Sequence, residues 1–285
     1  MQSECLDRLN YDEMEYYRKV YENSQRWNGI EPLDGKKVVI YCEQGFGDII
    51  HFSRYFKFLK QHNCAITLHC PKALHRLFSE FNCPMIDRDE SDIPHHDFHI
   101  LSMSLPFNLD SPNIEFPYLH INNATDISEL QLPQKSIKVG IAWEGNPNHS
   151  NNDERCCPLI YFKKLADQFT NLKMFTLHKT LHDPNWIIGS EDMELYGSDL
   201  IDFQDTAELI MAMDLVISID TSVLHLAGAL NKPSYGLLSL NCDHRWKIDV
   251  DWYPSIKLIQ QKYEDDWQGV FEDLQQELSK KMEVI

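Results

Sequence analysis

The 285-residue chain has no apolar run approaching the roughly 18 residues a membrane-spanning helix needs, and its opening Met-Gln-Ser-Glu-Cys-Leu-Asp7 lacks a basic start and an apolar signal core. A cytoplasmic protein with no integral membrane segment is the expectation. Basic residues are scarce: 26 Lys and Arg stand against 44 Asp and Glu, a formal charge of -18. Nucleic acids and anionic membrane surfaces are bound through clustered Lys and Arg, so neither is expected as the main partner. Any anionic ligand therefore needs a local site. The eight cysteines contain no Cys-x-x-Cys pair, which argues against a zinc site or a disulfide frame and for reduced thiols. Cys156 and Cys157 read as small side chains in a loop-to-helix junction. No internal repeat and no low-complexity segment is present.

What is there is a soluble globular composition, 43% hydrophobic and 25% charged, long enough for one large or two ordinary α/β domains. Aromatic and apolar residues at Tyr11, Met14, Tyr17, Val20 and Tyr21 predict a leading helix over 7–28. Val38-Val-Ile-Tyr41 then reads as a buried strand, followed by a glycine turn and an amphipathic helix to about Lys60. A strand at Ala65–Leu68, a helix from Pro71 to Phe81, and short strands at Pro84–Ile86 and Phe98–Leu101 continue the pattern. After a polar stretch from about Asn122 to Ser136 a second series begins at Lys138–Trp143. It runs through a helix at Leu159–Gln168, strands at Lys173–Leu177 and near Asp199–Asp202, a helix at Thr206–Met213 and a strand at Leu215–Ile219. A helix at Ser222–Leu230, a strand at Ser234–Leu238 and a terminal helix at Trp267–Met282 complete it. Alternation of strand and helix implies parallel, doubly wound sheets in two similar halves, 1–130 and 131–285, the last helix staying with the second or crossing back.

The stretch richest in chemical meaning is Ile217–Leu230, where an apolar strand breaks on Asp220-Thr-Ser222 and restarts as a helix with His225 one turn inside. A helix that opens at a sheet edge aims unpaired N–H groups outward and suits a phosphate, although Asp, Thr and Ser are also ordinary N-cap residues. Gly45-Phe-Gly-Asp48 places Asp48 at the carboxyl end of a strand, where it could take a proton from an attacking hydroxyl or simply cap a helix. The third glycine of a dinucleotide fingerprint is replaced by Ile50. The polar loop after Trp143 leads to Arg155, a possible phosphate clamp or a solvated charge, and Lys179 follows a strand in the same half. His95, His96 and His99 read as polar loop residues rather than metal ligands, and the Asp-x-Asp pairs Asp87/Asp89 and Asp249/Asp251 as chance tripeptides.

Taken together, Glu43-Gln-Gly-Phe-Gly-Asp48, Val139-Gly-Ile-Ala-Trp143 with Gly145-Asn-Pro147, Asp220–Leu230 with Lys232-Pro233, Asp243-His-Arg-Trp246 and Trp252-Tyr-Pro254 resemble the heptosyltransferase-type (family 9-like) glycosyltransferases, in the branch often linked to tetratricopeptide repeats. Arg26-Trp27-Asn-Gly29 and Leu33-Asp-Gly35 also fit, so the resemblance spans about residues 26–260. It implies the GT-B architecture, two Rossmann-like domains facing each other across a cleft. It also implies metal-independent inverting transfer from a nucleotide-diphosphate sugar to a hydroxyl of a glycan, lipid-linked or protein acceptor, with no cofactor. Asp48 becomes the expected base, with Gln44, Gly45 and Gly47 beside the acceptor. The donor falls to Asp220, Thr221, Ser222, His225, Arg155, Lys179, Trp143 and Asn146. Relatives often carry Gln where this chain has His178, and Ser where it has Cys156. A non-catalytic nucleotide-sugar-binding or scaffold protein of the same fold is the alternative.

Overall fold

The computed structural model describes residues 24–90, 92–110, 112–121, 123–126, 136–149, 151–178, 193–194, 200–247 and 252–282. The chain separates into two compact units, one ending at Glu115 and one starting at Phe116.

The first unit holds a five-stranded sheet of β1 (Gln25–Arg26), β2 (Lys37–Tyr41), β3 (Ala65–Cys70), β4 (Met85–Asp87) and β5 (Phe98–Leu101), ordered β1-β5-β2-β3-β4. All pairs are parallel. The run Val38–Tyr41 is buried throughout, as a central parallel strand covered on both faces requires. Of the predicted leading helix, residues 7–23 lie outside the described residues, and Gln25–Arg26 form an edge strand instead. The helix expected to reach Lys60 divides into α1 (Phe46–Ser53) and α2 (Phe56–Leu59). The cause is local competition for carbonyls: Ser53 Oγ donates to the Ile50 carbonyl at 2.8 Å and Arg54 Nε to the His51 carbonyl at 2.7 Å. Those are the acceptors that the amides of residues 54 and 55 would use in a continuing helix. Pro71–Phe81 forms two 3-10 turns, Lys72–Leu74 and Leu77–Phe81, rather than an α-helix. Leu74, Leu77, Phe78 and Phe81 are buried as a helical face would be, but Asn82 in the left-handed region closes the segment after so few residues that the looser register suffices. His99 is no loop residue: it sits in β5, 2% exposed, with Nδ1 2.8 Å from the Ser24 hydroxyl. Burial first, then the charges of His96 and Arg26, pulls its pKa from 6.5 to about 4.

The second unit holds six parallel strands: β6 (Ile137–Ala142), β7 (Leu172–Thr176), β8 (Met193–Glu194), β9 (Leu215–Ile219), β10 (Ser234–Leu238) and β11 (Ile256–Gln260), ordered β11-β10-β9-β6-β7-β8. Its helices are α4 (Asn152–Arg155), α5 (Ile160–Gln168), α6 (Phe203–Ala212), α7 (Ser222–Ala229) and α8 (Trp267–Met282), α3 (Leu105–Asn108) belonging to the first unit. The terminal helix α8 seats Trp267, Val270, Phe271, Leu274 and Leu278 in the same core as Phe162 and Leu165 of α5. Its apolar residues recur at 3.6-residue spacing, so one face is buried and the opposite one solvated. Of the strand expected near Asp199–Asp202, residue 199 lies outside the described residues, and Asp202 is the N-cap of α6, its Oδ1 accepting from the Gln204 amide at 2.9 Å. The edge strand β11 was not expected: its Ile-Lys-Leu-Ile-Gln sequence is half solvated and lacks the unbroken apolar run of the inner strands.

Candidate functional site

In a doubly wound sheet a ligand crevice opens beyond the carboxyl ends of the strands where the chain reverses direction along the sheet. Strands β6, β7 and β8 progress one way and β9, β10 and β11 the other, so the reversal in the second unit lies between β6 and β9. The loop after β6 carries Trp143–Arg155 and the turn after β9 carries Asp220-Thr-Ser222. Arg155, the last residue of α4, joins the two: its Nη1 donates to the Asp220 carbonyl at 3.3 Å. The guanidinium lies so close over Gly145 that a Cβ there would come within 2.4 Å of Nη2. Arg155 Nε is buried and meets no acceptor among the described residues. The guanidinium is thus held at the turn that leads into α7, not left as a solvated surface charge.

Helix α7 itself opens without a side-chain cap. Thr221 is the N-cap in extended conformation, but its hydroxyl is drawn 3.1 Å from the Ser218 hydroxyl instead of turning to the helix. The helical ladder begins with the amides of Leu224 and His225, which both donate to the Thr221 carbonyl. The amides of Ser222 and Val223 precede it and, with the positive end of the helix, suit an anion. Contrast α6, whose first turn is satisfied by the Asp202 carboxylate. The capped-helix reading of Asp220-Thr-Ser222 therefore does not describe this turn.

Behind the turn lies a polar and aromatic cluster. His225 Nδ1 is 2.8 Å from the Tyr253 hydroxyl, its ring stacks on Trp246 with centroids 5.0 Å apart, and its Nε2 is 4.0 Å from Asp220 Oδ1. Asp220 is 16% exposed, and burial raises its pKa; the indole N–H of Trp246 and then the Arg245 guanidinium work against that rise. The indole nitrogen faces Asp220 but falls short of good hydrogen-bond geometry. Arg245 is itself forked onto Asp243, Nε to Oδ1 at 2.9 Å and Nη2 to Oδ2 at 3.1 Å.

Among the other expected donor residues, Trp143 is a buried member of the core, packed edge-on against His178 at 4.0 Å between centroids. Asn146 is exposed and makes an Asx turn, its Oδ1 accepting from the Asn148 amide at 3.0 Å. Lys179 lies outside the described residues. His178 Nε2 stands 3.6 Å from Glu144 Oε1, a pairing at the ends of β7 and β6 that sequence reading missed because neither residue belongs to a spaced motif. Cys157 is buried, its amide donating to the Trp143 carbonyl, so both cysteines do sit in the α4–α5 junction.

The first unit has its own reversal, between β5 and β2, and Gln44–Asp48 follow β2 there. The residue in the left-handed region is Gln44 (φ 64), whereas Gly45 has an ordinary extended backbone with room for a Cβ. Within the glycine turn the strained residue is therefore Gln44, whose carbonyl accepts from Arg88 Nη1 at 2.9 Å. Asp48 is half-buried at the third position of α1, Oδ2 accepting from the Gly45 amide at 3.2 Å. It therefore caps its helix while standing at the sheet edge. Asp87 turns its Oδ1 to the amides of Lys72 and Asp89, and residues 249 and 251 lie outside the described residues. No group of three or more His, Cys, Asp or Glu suited to a metal ion occurs among the described residues, and no described helix is long and apolar enough to cross a membrane.

Two α/β units, each a parallel sheet with candidate site loops at the carboxyl edge of a reversal point, define a GT-B-type fold. Comparison with known proteins makes this particular. Residues 192–265 match the sequence model of glycosyltransferase family 9 (heptosyltransferase), a stretch that contains Asp220–Leu230, Trp246 and Tyr253. The fold is that of the family: a glycosyl transferase family 9 structure from Veillonella parvula aligns with a TM-score of 0.61 at 12% identity, over 86% of this chain and 91% of that one. The E. coli ADP-heptose lps heptosyltransferase II aligns with a TM-score of 0.58 at 12% identity, over 86% and 99%. In sequence, Protein FlbA of Caulobacter vibrioides is 25% identical over 136 residues, 46% of this chain and 23% of that protein's length. The chain thus spans less than a quarter of the length of this curated relative, and shares the GT-B fold of family 9 with the solved structures.

Proposed function

We propose that the protein is a glycosyltransferase that takes its sugar from a nucleoside-diphosphate donor bound at the β6–β9 reversal of the second unit. The observation that carries this reading is the uncapped start of α7 together with the Arg155 guanidinium bonded to the Asp220 carbonyl in the turn before it. Two backbone N–H groups and a planar cation converge where a diphosphate would lie, in a chain whose net charge otherwise repels anions. Asp220 and His225 then face the donor sugar or fix the helix start, and Lys179 adds charge to the phosphates.

In the reaction Asp48 of the first unit removes the acceptor hydroxyl proton. The hydroxyl oxygen attacks the anomeric carbon with inversion, and the nucleoside diphosphate departs with the bonding electrons. Donors fixed in advance at Ser222, Val223 and Arg155 stabilise the negative charge that grows on the departing phosphate, without reorganising. The helix end alone supplies about 0.3 to 2 kcal/mol. Base catalysis, worth roughly a hundred- to ten-thousandfold, and orientation of the reactants supply the larger part. ADP is the first nucleotide to test, because the E. coli relative above is named for ADP-heptose. A thermal-shift panel of ADP, UDP and GDP followed by product analysis with the matching nucleotide-sugars tests the proposal. Stabilisation by one nucleotide with release of the diphosphate in the presence of acceptor supports it. Affinity without turnover would favour the non-catalytic binder, and no stabilisation by any nucleotide would remove the donor site.

A further inference from the structure

Tyr253 stands 28 positions beyond His225 in the chain, and the fold brings its hydroxyl to 2.8 Å from Nδ1 of the buried His225 ring. The phenol is held firmly. Tyr253 is 2% exposed, its ring seats directly on Gly228, where a Cβ would come within 2.3 Å of Cδ1, and it lies 6.2 Å from Phe116 between centroids. Trp246 stacks on the imidazole, its plane inclined 26° to it, so the histidine is held by a stacked ring and by the hydrogen bond at Nδ1.

The direction of the short bond follows from the opposite ring nitrogen. A neutral imidazole carries one N–H and one lone pair. Were Nδ1 the protonated nitrogen, donating to the phenol oxygen, the Nε2 lone pair would face the Asp220 carboxylate 4.0 Å away, which is repulsive. With the phenol donating to Nδ1, the proton sits on Nε2 and points its positive end at Asp220. We infer that Tyr253 is a positioning residue, whose hydroxyl locks His225 as the Nε2–H tautomer and thereby aims an N–H dipole at the Asp220 carboxylate. The consequence for the ligand rests on the donor-site reading above: an oriented Asp220 offers an acceptor to a sugar hydroxyl, while the diphosphate is held by other groups. Burial of Asp220 raises its pKa, and a facing N–H dipole works against that rise by favouring the carboxylate.

The test uses the full chain labelled with 15N-histidine, the His225 signals being assigned by their absence in His225→Gln. Long-range 1H–15N correlation at neutral pH should show a lone-pair nitrogen at Nδ1 and a protonated one at Nε2 in the wild type, and a mixture of tautomers in Tyr253→Phe, which keeps the ring on Gly228. A protonated Nδ1 in the wild type, or an unchanged tautomer in Tyr253→Phe, would overturn the inference. In parallel, ADP affinity of Tyr253→Phe should stay within about twofold of wild type, while affinity for ADP-heptose falls about 3- to 10-fold, the worth of one hydrogen bond. Equal loss for both ligands would make Tyr253 a mere packing residue and also count against the inference. Absence of ADP binding by the wild type would sink the donor-site reading alone, because the tautomer is read without ligand.

Discussion

Replacing Arg155 with Met removes the cation at the turn into α7 and keeps much of the side chain's bulk against Gly145. In the free protein the loss is one hydrogen bond to the Asp220 carbonyl at 3.3 Å, and the Nε left buried without an acceptor disappears with it. The net cost to folding is about 1 kcal/mol or less, a fall in melting temperature of no more than about 4 °C for a chain of this size. In the complex the loss is larger, because a charged donor to a phosphate contributes about 1.5–3 kcal/mol. That corresponds to a roughly 10- to 150-fold weaker Kd for ADP. Arg155→Lys keeps the charge but loses the planar fork and the reach to two oxygens, so its Kd should fall between the two. Isothermal titration of ADP into the three proteins at one fixed ionic strength reads the affinities, and thermal unfolding without ligand reads the stability. Wild-type affinity in Arg155→Met, with melting temperature unchanged, would show that the guanidinium does not meet the diphosphate.

Ser222→Pro removes one amide at the first position of α7, where proline is tolerated and Thr221 is already extended, so nucleotide affinity should drop by calorimetry while the helix and the melting temperature persist. Asp48→Asn retains an oxygen for the Gly45 amide and should keep fold and donor affinity while kcat falls about a hundredfold or more in a coupled transfer assay; unchanged turnover would remove Asp48 as the base. Asp220 has a raised pKa, so the native state holds its proton more tightly than the unfolded chain, and this stabilisation is full below the ordinary carboxylate range and lost as pH rises through the raised value. Asp220→Asn should therefore be at least as stable as wild type at neutral pH and lose that advantage in acid, as measured by melting temperature against pH. His99 has the opposite sign: its neutral form is favoured by folding, so stability is full above pH 6.5 and declines as pH falls toward about 4, a slope that His99→Gln should flatten.

Both sheets were legible in the sequence wherever a strand is buried on both faces, because Val38–Tyr41 and Leu215–Ile219 leave no alternative to a covered parallel strand. The terminal helix was legible for the same reason in its own period, all five of its spaced apolar residues entering the core. What escaped was set by contacts distant in sequence or by local competition. The edge strands β1 and β11 exist through pairing with Phe98–His99 and with β10, not through their own patterns. The break between α1 and α2 depends on which carbonyls Ser53 and Arg54 occupy. At the candidate site, Asp220–His225 could be found from a strand running into a helix, but whether the helix is capped depends on Thr221 turning to Ser218. Arg155 could be suspected only as one polar residue among many until the fold carried it to Asp220. Trp246 and Tyr253 were visible as motif residues without a role, since nothing in their spacing reveals that both enclose one imidazole.

The account rests on the uncapped end of α7 and Arg155 as the seat of a diphosphate. A crystal structure of the full chain with ADP tests this most directly. The β-phosphate oxygens should lie within hydrogen-bond distance of the Ser222 or Val223 amide and of the Arg155 guanidinium. A nucleotide bound with its phosphates elsewhere, or no nucleotide at millimolar ADP, would contradict it.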